Sequence, residues 1–368
     1  MRSRTIRPPD PILLLTLALL VVGGVFIFMS ASLGLLAYDS QGFTSAAESQ
    51  FVLGLGGGLI AFFIALRIPY RFWRRVSLYI FIASLLLTLL VFIPHVGLTI
   101  NGARRWIGIG PIQVQPSEFL KVAYILYLAT WFSAAKSHLH EFKNGLIPFI
   151  VVTGLTGGVL ILQPDTSTFL VTAAAGGAMF FTAGARWKDV LILLLIAVVA
   201  LGGLFLVRPY MLERVTTFLH PHNDPQGSSY QVDQSLLAVG AGELTGRGFG
   251  QSIQKFGKLP EPISDSIFSV FSEEFGFIGA AILVITYLTF ALRGFWIAAR
   301  SPDLFGGLLA VGIVTLIIAQ SFFNISAMLA LLPLSGLPLE FVSHGGTALL
   351  VALGATGILL SVSRSVRA

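Results

Sequence analysis

The sequence predicts an all-α integral membrane protein with ten transmembrane helices. Of its 368 residues, 55% are hydrophobic and only 11% are charged, whereas soluble domains carry about 25% charged residues. The apolar residues form stretches of about 20, the length at which a helix crosses a bilayer. One long polar interval, residues 208–266, separates the seventh stretch from the eighth. These three observations together indicate the fold class.

The connections between the ten predicted spans are all much shorter than this interval. The pattern therefore predicts a single membrane domain, 1–368, that contains the large loop 208–266. The spans cover residues 12–32, 50–67, 77–96, 117–134, 145–163, 167–184, 189–207, 267–292, 304–332 and 343–362.

The composition excludes several kinds of chemistry. Without cysteine, the chain has no disulfide, thiolate nucleophile or thiolate metal site. The net charge of +6 does not indicate nucleic-acid binding, because the basic residues cluster at the ends of the spans. The first apolar run, from Ile12 to Met29, is longer than the core of a signal peptide and predicts an uncleaved first helix.

Lysine and arginine residues predict the orientation of the chain. With the N-terminus inside, fifteen of them lie on cytoplasmic segments and seven on outer segments. The positive-inside rule therefore places both termini in the cytoplasm and the large loop outside. Five of the seven outer charges lie in or beside this loop. They indicate an anionic ligand, or else reflect that long loops are translocated whatever their charge.

The large loop is expected to contain structure of its own. Residues 229–239 have apolar and polar positions at helical spacing, and Gly240 and Gly242 are typical of a helix end. The following GELTGRGFGQS is rich in glycine. A nucleotide-binding fingerprint would need a strand before it and a helix after it, and neither is predicted. Its backbone amides remain candidates for cradling a phosphate.

Charged residues at the edges of spans are the first functional candidates. Glu118 and Lys121 in QPSEFLK share one helix face at i, i+3 spacing. Charges near lipid usually mark function, and the alternative is a structural ion pair. Asp165 in QPDTST is a second case, for which a helix N-cap is the competing role. Arg104 and Arg105 precede a Trp at the membrane edge, where they either snorkel or bind phosphate through the guanidinium.

The end of the large loop carries further candidates. Asp265 directly precedes the eighth span, where it predicts either a helix cap or a general base. Lys258 and Glu261 lie just before it. Glu273 and Glu274 lie inside the predicted span and need a partner cation at that depth. From the residues alone, an enzyme and a transporter are equally good hypotheses.

Six segments, in this order along the chain, together resemble the SEDS family (shape, elongation, division and sporulation) of peptidoglycan polymerases. The resemblance covers nearly the whole chain, and its features favour the division type over the elongation type. The segments are FMSAS, GARRWIGIGPIQVQPSEFLKVA, LQPDTSTFLV, HNDPQGSSYQVDQSLLAVGAGELTGRGFGQSIQK, LPEPISDSIFSVFSEEFGFIGA and LLPLSGLPLEFVSHGGTALL.

The resemblance implies an inverting glycosyltransferase that polymerises lipid II on the outer face of the bacterial cytoplasmic membrane. The donor would be an undecaprenyl-pyrophosphoryl glycan and the acceptor the 4-hydroxyl of lipid II. Asp265 matches the family's essential loop aspartate and would act as the general base. The residues that it implies for substrate binding are Arg105, Glu118, Lys121, Gln231, Gln234, Ser235, Lys255, Lys258, Glu261, Glu274 and Ser343.

The chain departs from the family pattern at two places. Ile263 and Ser264 stand where His-Thr is usual before the loop aspartate. The late motif carries Glu340 and His344, followed by Thr347 and Ala348, where LPFxSYGGSS is usual. Glu340 and His344 are candidates to compensate for the missing polar group beside the aspartate.

The implied partners are a class B penicillin-binding transpeptidase and other membrane proteins of division or elongation. No cofactor is implied with certainty; carboxylates suit Mg²⁺ or Mn²⁺, but no set of ligands is evident. Two alternatives remain. A lipid II flippase would show inverted repeats and helices broken near mid-membrane. A catalytically silent scaffold would explain the changes beside Asp265.

Overall fold

The computed structural model describes residues 8–100, 102–109, 112–136, 139, 141–207, 209–219 and 228–366. Some residues used in the sequence interpretation lie outside this part of the chain. They are the N-terminal arginines, Arg208, Arg367, and the whole HNDPQG segment that opens the predicted loop motif.

The N-terminal part forms four α-helices with a π-helix between the second and the third. Asp10 caps the first helix, since its Oδ1 accepts a hydrogen bond of 3.0 Å from Leu13 N. The elements are α1 (Pro11–Tyr38), α2 (Ser40–Glu48), the π-helix Ser49–Gly57, α3 (Gly58–Arg67) and α4 (Tyr70–Leu89), which ends in one 3₁₀ turn, Leu90–Phe92.

A small sheet follows, so the all-α prediction is wrong between the third and fourth spans. The strands β1 (Gly97–Ile100), β2 (Ala103–Ile109) and β3 (Ile112–Val114) pair antiparallel in the order β1-β2-β3. Gly102 has a φ of 77° at the first turn, a conformation that suits glycine. Only Ile107, Gly108 and Ile109 alternate in β2, and a strand is recognised in a sequence from alternation over at least four residues.

The rest of the chain is helical. Ile147–Leu162 is preceded by a short π-helix, Phe142–Leu146. The helices are α5 (Pro116–Ala134), α6 (Ile147–Leu162), α7 (Thr166–Thr182), α8 (Trp187–Val207), α9 (Pro209–Leu219), α10 (Ser228–Ala241), α11 (Ile267–Ala299), α12 (Leu304–Met328) and α13 (Gly346–Ser363).

A helix lies on each of the ten predicted segments, although several boundaries differ. The third begins at Tyr70 rather than at residue 77, because its first turns carry Arg71, Arg74 and Arg75; long basic side chains let a helix extend beyond the apolar core. Helix α10 confirms the predicted loop helix and stops at Ala241, before Gly242.

The chain is a multi-pass membrane protein. Among the described residues, six helical stretches are long and apolar enough to cross a membrane, and two further apolar helices, α6 and α7, are shorter. The centre of the bundle is formed by α12 and α13, whose most apolar windows are 72% and 89% buried, in contrast to 28% for α4. Helix α5 packs against α4, α7 and α12 and brings polar residues into this centre.

Helix α11 is broken at Gly276, which has φ 65° and ψ −167°, a conformation that is essentially restricted to glycine. The glycine-rich part of the large loop lies against the break and forms main-chain hydrogen bonds on both sides of it. Arg247 N and Gly248 N donate to the carbonyls of Glu273 and Glu274 at 3.0 and 2.9 Å.

On the other side of the break, the donors and acceptors are reversed. Phe277 N and Ile278 N donate to the carbonyls of Glu243 and Leu244 at 2.9 and 3.1 Å. The loop therefore satisfies main-chain groups that the interrupted helix leaves open. The expectation that its amides cradle a phosphate is wrong for Arg247 and Gly248, because these two amides are already used.

Candidate active site

A cavity of about 130 Å³ lies beside Asp265. Its walls come from the loop before α11, from α9, α10 and α12, and from the segment that follows α12. They are formed by Arg214, Gln231, Asp265, Asn324, Met328, Leu334, Ser335 and Gly336.

The surroundings of Asp265 raise the pKa of its carboxyl group. Protein atoms surround its carboxyl group, although the residue is only half-buried by area. Burial raises the pKa of Asp265 to about 6, and the nearby Glu261 adds to the increase. The charges of Arg214 and Arg105 act in the opposite direction. Ser266 is the N-cap residue of α11, so the alternative that Asp265 caps this helix is wrong.

The main chain just before Asp265 accepts hydrogen bonds from the segment that precedes α13. The carbonyl of Ile263 accepts from His344 N at 2.7 Å, and the carbonyl of Ser264 accepts from Ser343 Oγ at 2.6 Å. Ser343 also accepts a hydrogen bond of 2.8 Å from Leu339 N. The structure therefore places Ser343 beneath the loop, where it supports the residue before Asp265.

The two substituted residues of the late motif do not replace a polar group at Asp265. The ring of His344 stacks on Phe28 with 5.9 Å between centroids, and Glu340 faces Lys121. Ile263, which stands in place of a polar residue, is buried in the core. Thr347 instead bonds to the segment before α5, since its Oγ1 accepts from Gln115 N at 3.2 Å.

Arg105 lies on β2, and its guanidinium spans the turn between α6 and α7. Nε donates to Gln163 O at 3.2 Å, and a terminal nitrogen donates to Pro164 O. The other terminal nitrogen is 3.8 Å from Asp165 Oδ1. The side chain remains 25% exposed, so that it can also contact an anion.

Asp165 stands at the N-cap position of α7, as one alternative predicted, but its side chain makes no capping hydrogen bond. It accepts from Thr168 Oγ1 at 2.7 Å and faces Arg105. Asp165 is only 3% exposed. Its role in the structure is therefore to hold Arg105 as well as to begin the helix.

Glu118 and Lys121 form a buried ion cluster with Glu340. Lys121 Nζ is 2.9 Å from Glu118 Oε2 and 3.7 Å from Glu340 Oε1. It also donates to Gln320 Oε1 at 2.7 Å. Since Lys121 is 1% exposed, this arrangement matches the structural ion pair that was the alternative to substrate binding.

The loop helix α10 contributes unequally to the cavity. Gln231 lines it, and its Nε2 donates to Ser266 Oγ at 3.0 Å. Ser235 is fully buried, and its Oγ lies 3.4 Å from Met328 Sδ. Gln234 is half-buried and is not among the residues that line the cavity.

Lys255 and Glu274 belong to a second cluster, which shares no residue with the cavity. Lys255 Nζ donates to Glu274 Oε1 at 2.7 Å and to Ser30 Oγ and Gly250 O at 3.0 Å. Both charged side chains are at most 1% exposed. The prediction that Glu274 requires a partner cation is confirmed, and that cation is Lys255.

Glu273 has its own set of partners. Ser252 Oγ donates to its carboxylate at 2.6 Å, Ile253 N does so at 3.1 Å, and Arg247 Nε lies 3.5 Å away. Both tandem carboxylates therefore fix the loop onto α11 and α1.

Lys258 and Glu261 lie at the surface. Lys258 forms no hydrogen bond or ion pair with any residue that the structure describes. Glu261 has a φ of 49° and accepts a hydrogen bond of 2.8 Å from Ser264 Oγ. It acts on Asp265 through its charge.

The cavity residues that the sequence does not identify as candidates include Arg214 and Asn324. Arg214 was counted only as one of the outer charges, and it donates to the carbonyls of Leu334 and Ser335 at 3.3 and 3.5 Å. Asn324 was passed over inside the ninth span. A polar residue within an apolar span is itself an indication of function, and Asn324 follows Gln320 by one helical turn.

No group of three or more His, Asp or Glu side chains suitable for a metal ion occurs in the described part of the chain. Mg²⁺ or Mn²⁺ stays an open alternative to a reaction without a cofactor.

Comparison with known proteins decides the family. The model of the cell cycle protein family that groups FtsW, RodA and SpoVE matches residues 11–368. The chain belongs to the FtsW/RodA/SpoVE family. The family resemblance predicted from the motifs is thereby confirmed. The prediction that the protein is an enzyme is confirmed by relatives with the name probable peptidoglycan glycosyltransferase.

Relatives within this family match the chain from end to end. It is 38% identical to stage V sporulation protein E of Bacillus subtilis over 99% of both chains. It is 37% identical to the probable peptidoglycan glycosyltransferase FtsW of Geobacter metallireducens, over 96% of this chain and 93% of that protein. Several relatives with the name FtsW agree with the preference for the division type.

Solved structures show the same fold. A chain from a peptidoglycan synthase complex, in a structure concerned with the coordination of polymerization and crosslinking, aligns with a TM-score of 0.79 at 28% identity. The alignment covers 97% of this chain and 98% of that one. The rod shape determining protein RodA of Thermus thermophilus aligns with a TM-score of 0.69 at 27% identity, over 98% of both chains.

Proposed function

We propose that the protein polymerises lipid II into glycan strands, with Asp265 as the general base. The observation that supports this most directly is the cavity that Asp265 shares with Arg214, where the charges of Arg214 and Arg105 both act on the carboxyl group. The names of its FtsW relatives agree with this activity. An inverting transfer needs a single base, and a lipid diphosphate leaving group needs cationic stabilisation.

In the proposed reaction, Asp265 accepts the proton of the acceptor 4-hydroxyl. The hydroxyl oxygen forms a bond to the anomeric carbon of the donor, and the bond from that carbon to the diphosphate breaks on the opposite face. The proton ends on the Asp265 carboxylate, and the electron pair leaves with the diphosphate. A carboxylate with a pKa near 6 is ionised at neutral pH and is a stronger base than an ordinary aspartate.

The guanidinium of Arg105 is held in place before the diphosphate binds. Arg105 is fixed by two main-chain carbonyls and Asp165, which leaves its guanidinium oriented before substrate arrives. A planar guanidinium matches phosphate oxygens in pairs. Such preorganised cations stabilise the charge that develops on the leaving group.

The proposal includes a location and a partner. The ten helices would cross the cytoplasmic membrane with both termini inside and the cavity outside, as the distribution of Lys and Arg predicts. A class B penicillin-binding transpeptidase would crosslink the product, in keeping with the synthase complex whose chain this protein resembles.

A flippase is the second candidate, and one observation bears on it. Helix α11 is broken, as helices of transporters often are. In transporters the free ends of the broken helix bind the substrate. Here four of the main-chain groups at the break are paired with the loop, so that the break provides support rather than a binding site.

The test is polymerisation of fluorescent lipid II by the purified protein in detergent, with and without the transpeptidase and with Mg²⁺, Mn²⁺ or a chelator. Asp265→Asn should lower the rate by about 10²–10⁴-fold, the usual contribution of a general base. Asp233→Asn is the matched control, because Asp233 is exposed on the neighbouring α10. Glycan ladders that persist in Asp265→Asn would refute the assigned base.

A parallel assay of lipid II movement across liposomes separates the alternatives. Transport without polymer formation by the parent protein would establish a flippase. Neither activity, together with stimulation of the transpeptidase that survives Asp265→Asn, would establish a scaffold.

A further inference from the structure

Asn324 lies at the junction of the loop that carries Asp265 and the segment that closes the cavity. Its Nδ2 is 2.8 Å from Asp265 O and 2.8 Å from Leu337 O. Two carbonyl oxygens within hydrogen-bond distance identify this atom as the amide nitrogen, since an amide oxygen would be repelled. Asn324 is 1% exposed, so both hydrogen bonds are shielded from water.

The carbonyl of Asp265 needs such a donor. The hydrogen bonds of α11 begin at the next residue, where Ser269 N and Val270 N donate to Ser266 O. Asp265 O therefore lies outside the helical pattern, and the residue belongs to a segment without regular structure. Asn324 attaches this segment to α12, one of the most deeply buried helices of the bundle.

Gln320 makes the corresponding contact one turn earlier on α12. Its Nε2 donates to Pro338 O at 3.2 Å, adjacent to the carbonyl that Asn324 holds. Its Oε1 accepts from Lys121 Nζ at 2.7 Å. Because the ammonium group can only donate, Lys121 fixes which end of the Gln320 amide faces Pro338.

We propose that Asn324 is a positioning residue for the reaction, that it fixes Asp265 through its main chain, and that Gln320 and the Lys121 cluster support it. This arrangement leaves the carboxyl group free for the acceptor hydroxyl while its direction into the cavity is set. It also gives the buried ion cluster a role at the site without contact with substrate. The inference rests on the proposed function, because it takes Asp265 to be the base.

The experiment grades the number of donors at position 324. Asn324→Ser keeps one donor and Asn324→Ala keeps none. We expect kcat to fall stepwise, by about 100-fold for Asn324→Ala, as for a misplacement of about 1 Å. KM for lipid II should change little, because the side chain holds protein groups.

Thr356→Val is the control. Thr356 is fully buried on α13, and its Oγ1 bonds only to Ala352 O in its own helix. The substitution removes one buried hydrogen bond far from the loop that carries Asp265. We therefore expect kcat to stay within about twofold of the parent value.

Hydrogen exchange provides a readout that does not depend on activity. The amides of residues 261–266 should exchange faster in Asn324→Ala than in the parent and in Thr356→Val, while those of α13 stay unchanged. Unchanged exchange in the loop would overturn the inference, whether or not activity is lost. Full activity of Asn324→Ala would also overturn it.

The two proposals fail in different ways. An inactive Asp265→Asn beside a fully active Asn324→Ala would remove the positioning role and leave the function standing. A parent protein that forms no polymer would remove the function, and the positioning role, defined for that reaction, with it.

Discussion

Two clusters of acidic and basic side chains in this protein differ in how completely the protein satisfies them. In the Lys255–Glu274 cluster, Lys255 has three hydrogen-bond partners, one of which is the carboxylate of Glu274. Asp265 forms no ion pair with Arg214, which lines the same cavity, or with Arg105, whose charge also acts on it, and the pKa of its carboxyl group stays raised.

The comparison shows that a structural ion pair differs from a reactive site in whether its charged groups already have close partners, rather than in residue type. A lysine and a carboxylate within 3 Å in a dry interior have no capacity left for a ligand. A carboxylate that pays for burial without a close partner is available to take a proton. The family resemblance implies a role in the reaction for both kinds of residue, as general base for Asp265 and in substrate binding for Lys255 and Glu274.

The largest effect on stability should come from Lys255→Met. It leaves the Glu274 carboxylate buried without its cation, which typically costs about 3–5 kcal/mol. Unfolding of the purified protein in mixed micelles measures this free energy. The double variant Lys255→Met, Glu274→Gln should recover much of the loss, because no uncompensated charge remains.

The exposed ion pair between Arg71 and Asp303 is the control for this prediction. Its side chains are 46% and 32% exposed, and such pairs contribute at most about 1 kcal/mol. A loss for Lys255→Met no larger than that for Arg71→Met would contradict the distinction between the clusters.

Gly276→Ala should have the next largest effect, about 1–3 kcal/mol, as is usual for strained backbone. A Cβ at this position would meet the main chain of Gly246 and Leu244. Gly177→Ala is the matched control, since Gly177 lies within α7 and nothing is found within 4 Å of an added Cβ. Equal stability of the two variants would show that the loop does not hold the break.

Asp265→Asn should leave the melting temperature at pH 7.5 unchanged or raise it, whereas Lys255→Met in the Lys255–Glu274 cluster should lower it. The folded pKa of Asp265, about 6, is above its usual value of 3.8, so its ionised form disfavours the folded state at pH 7.5. The advantage of Asn should shrink as the pH falls through 6, where Asp265 takes up a proton. A lower melting temperature for Asp265→Asn at pH 7.5 would place Asp265 among the structural carboxylates.

The smallest effect concerns the pH profile of polymerisation. Activity should rise as the pH increases through about 6, where Asp265 loses its proton. Because Glu261 raises the pKa of Asp265, Glu261→Gln should move this limb to lower pH. Asp233→Asn should leave it in place. A shift of the limb to higher pH would exclude the assigned electrostatics.

Much of the fold follows from apolar stretches alone, and the positions of α5, α7 and α12 agree closely with their predicted spans. The sheet was missed because its strands are short and lie between two spans, where alternation extends over a few residues only. The break at Gly276 was also missed, since it lies inside a predicted span and depends on a partner segment some 30 residues earlier.

At the site, the sequence identified Asp265, Arg105 and Gln231 through the family motifs. It did not separate them from Lys255 and Glu274, because burial and pairing arise only when α1 packs against the loop. A polar residue in an apolar span is a signal for Asn324, but its partners are main-chain carbonyl groups, which the sequence does not reveal.

The four main-chain hydrogen bonds across the break at Gly276 have a consequence for how this chain can be exchanged with its relatives. The first part of α11, which begins two residues after Asp265, accepts hydrogen bonds from Arg247 and Gly248, and the second part donates hydrogen bonds to Glu243 and Leu244. At its N-terminal end, the first part continues directly from the loop. Loop and half-helix therefore form one interlocked piece, and a chimaera in which the loop is cut at Ile267 would separate its halves. A functional transplant of the site has to extend through Ile278.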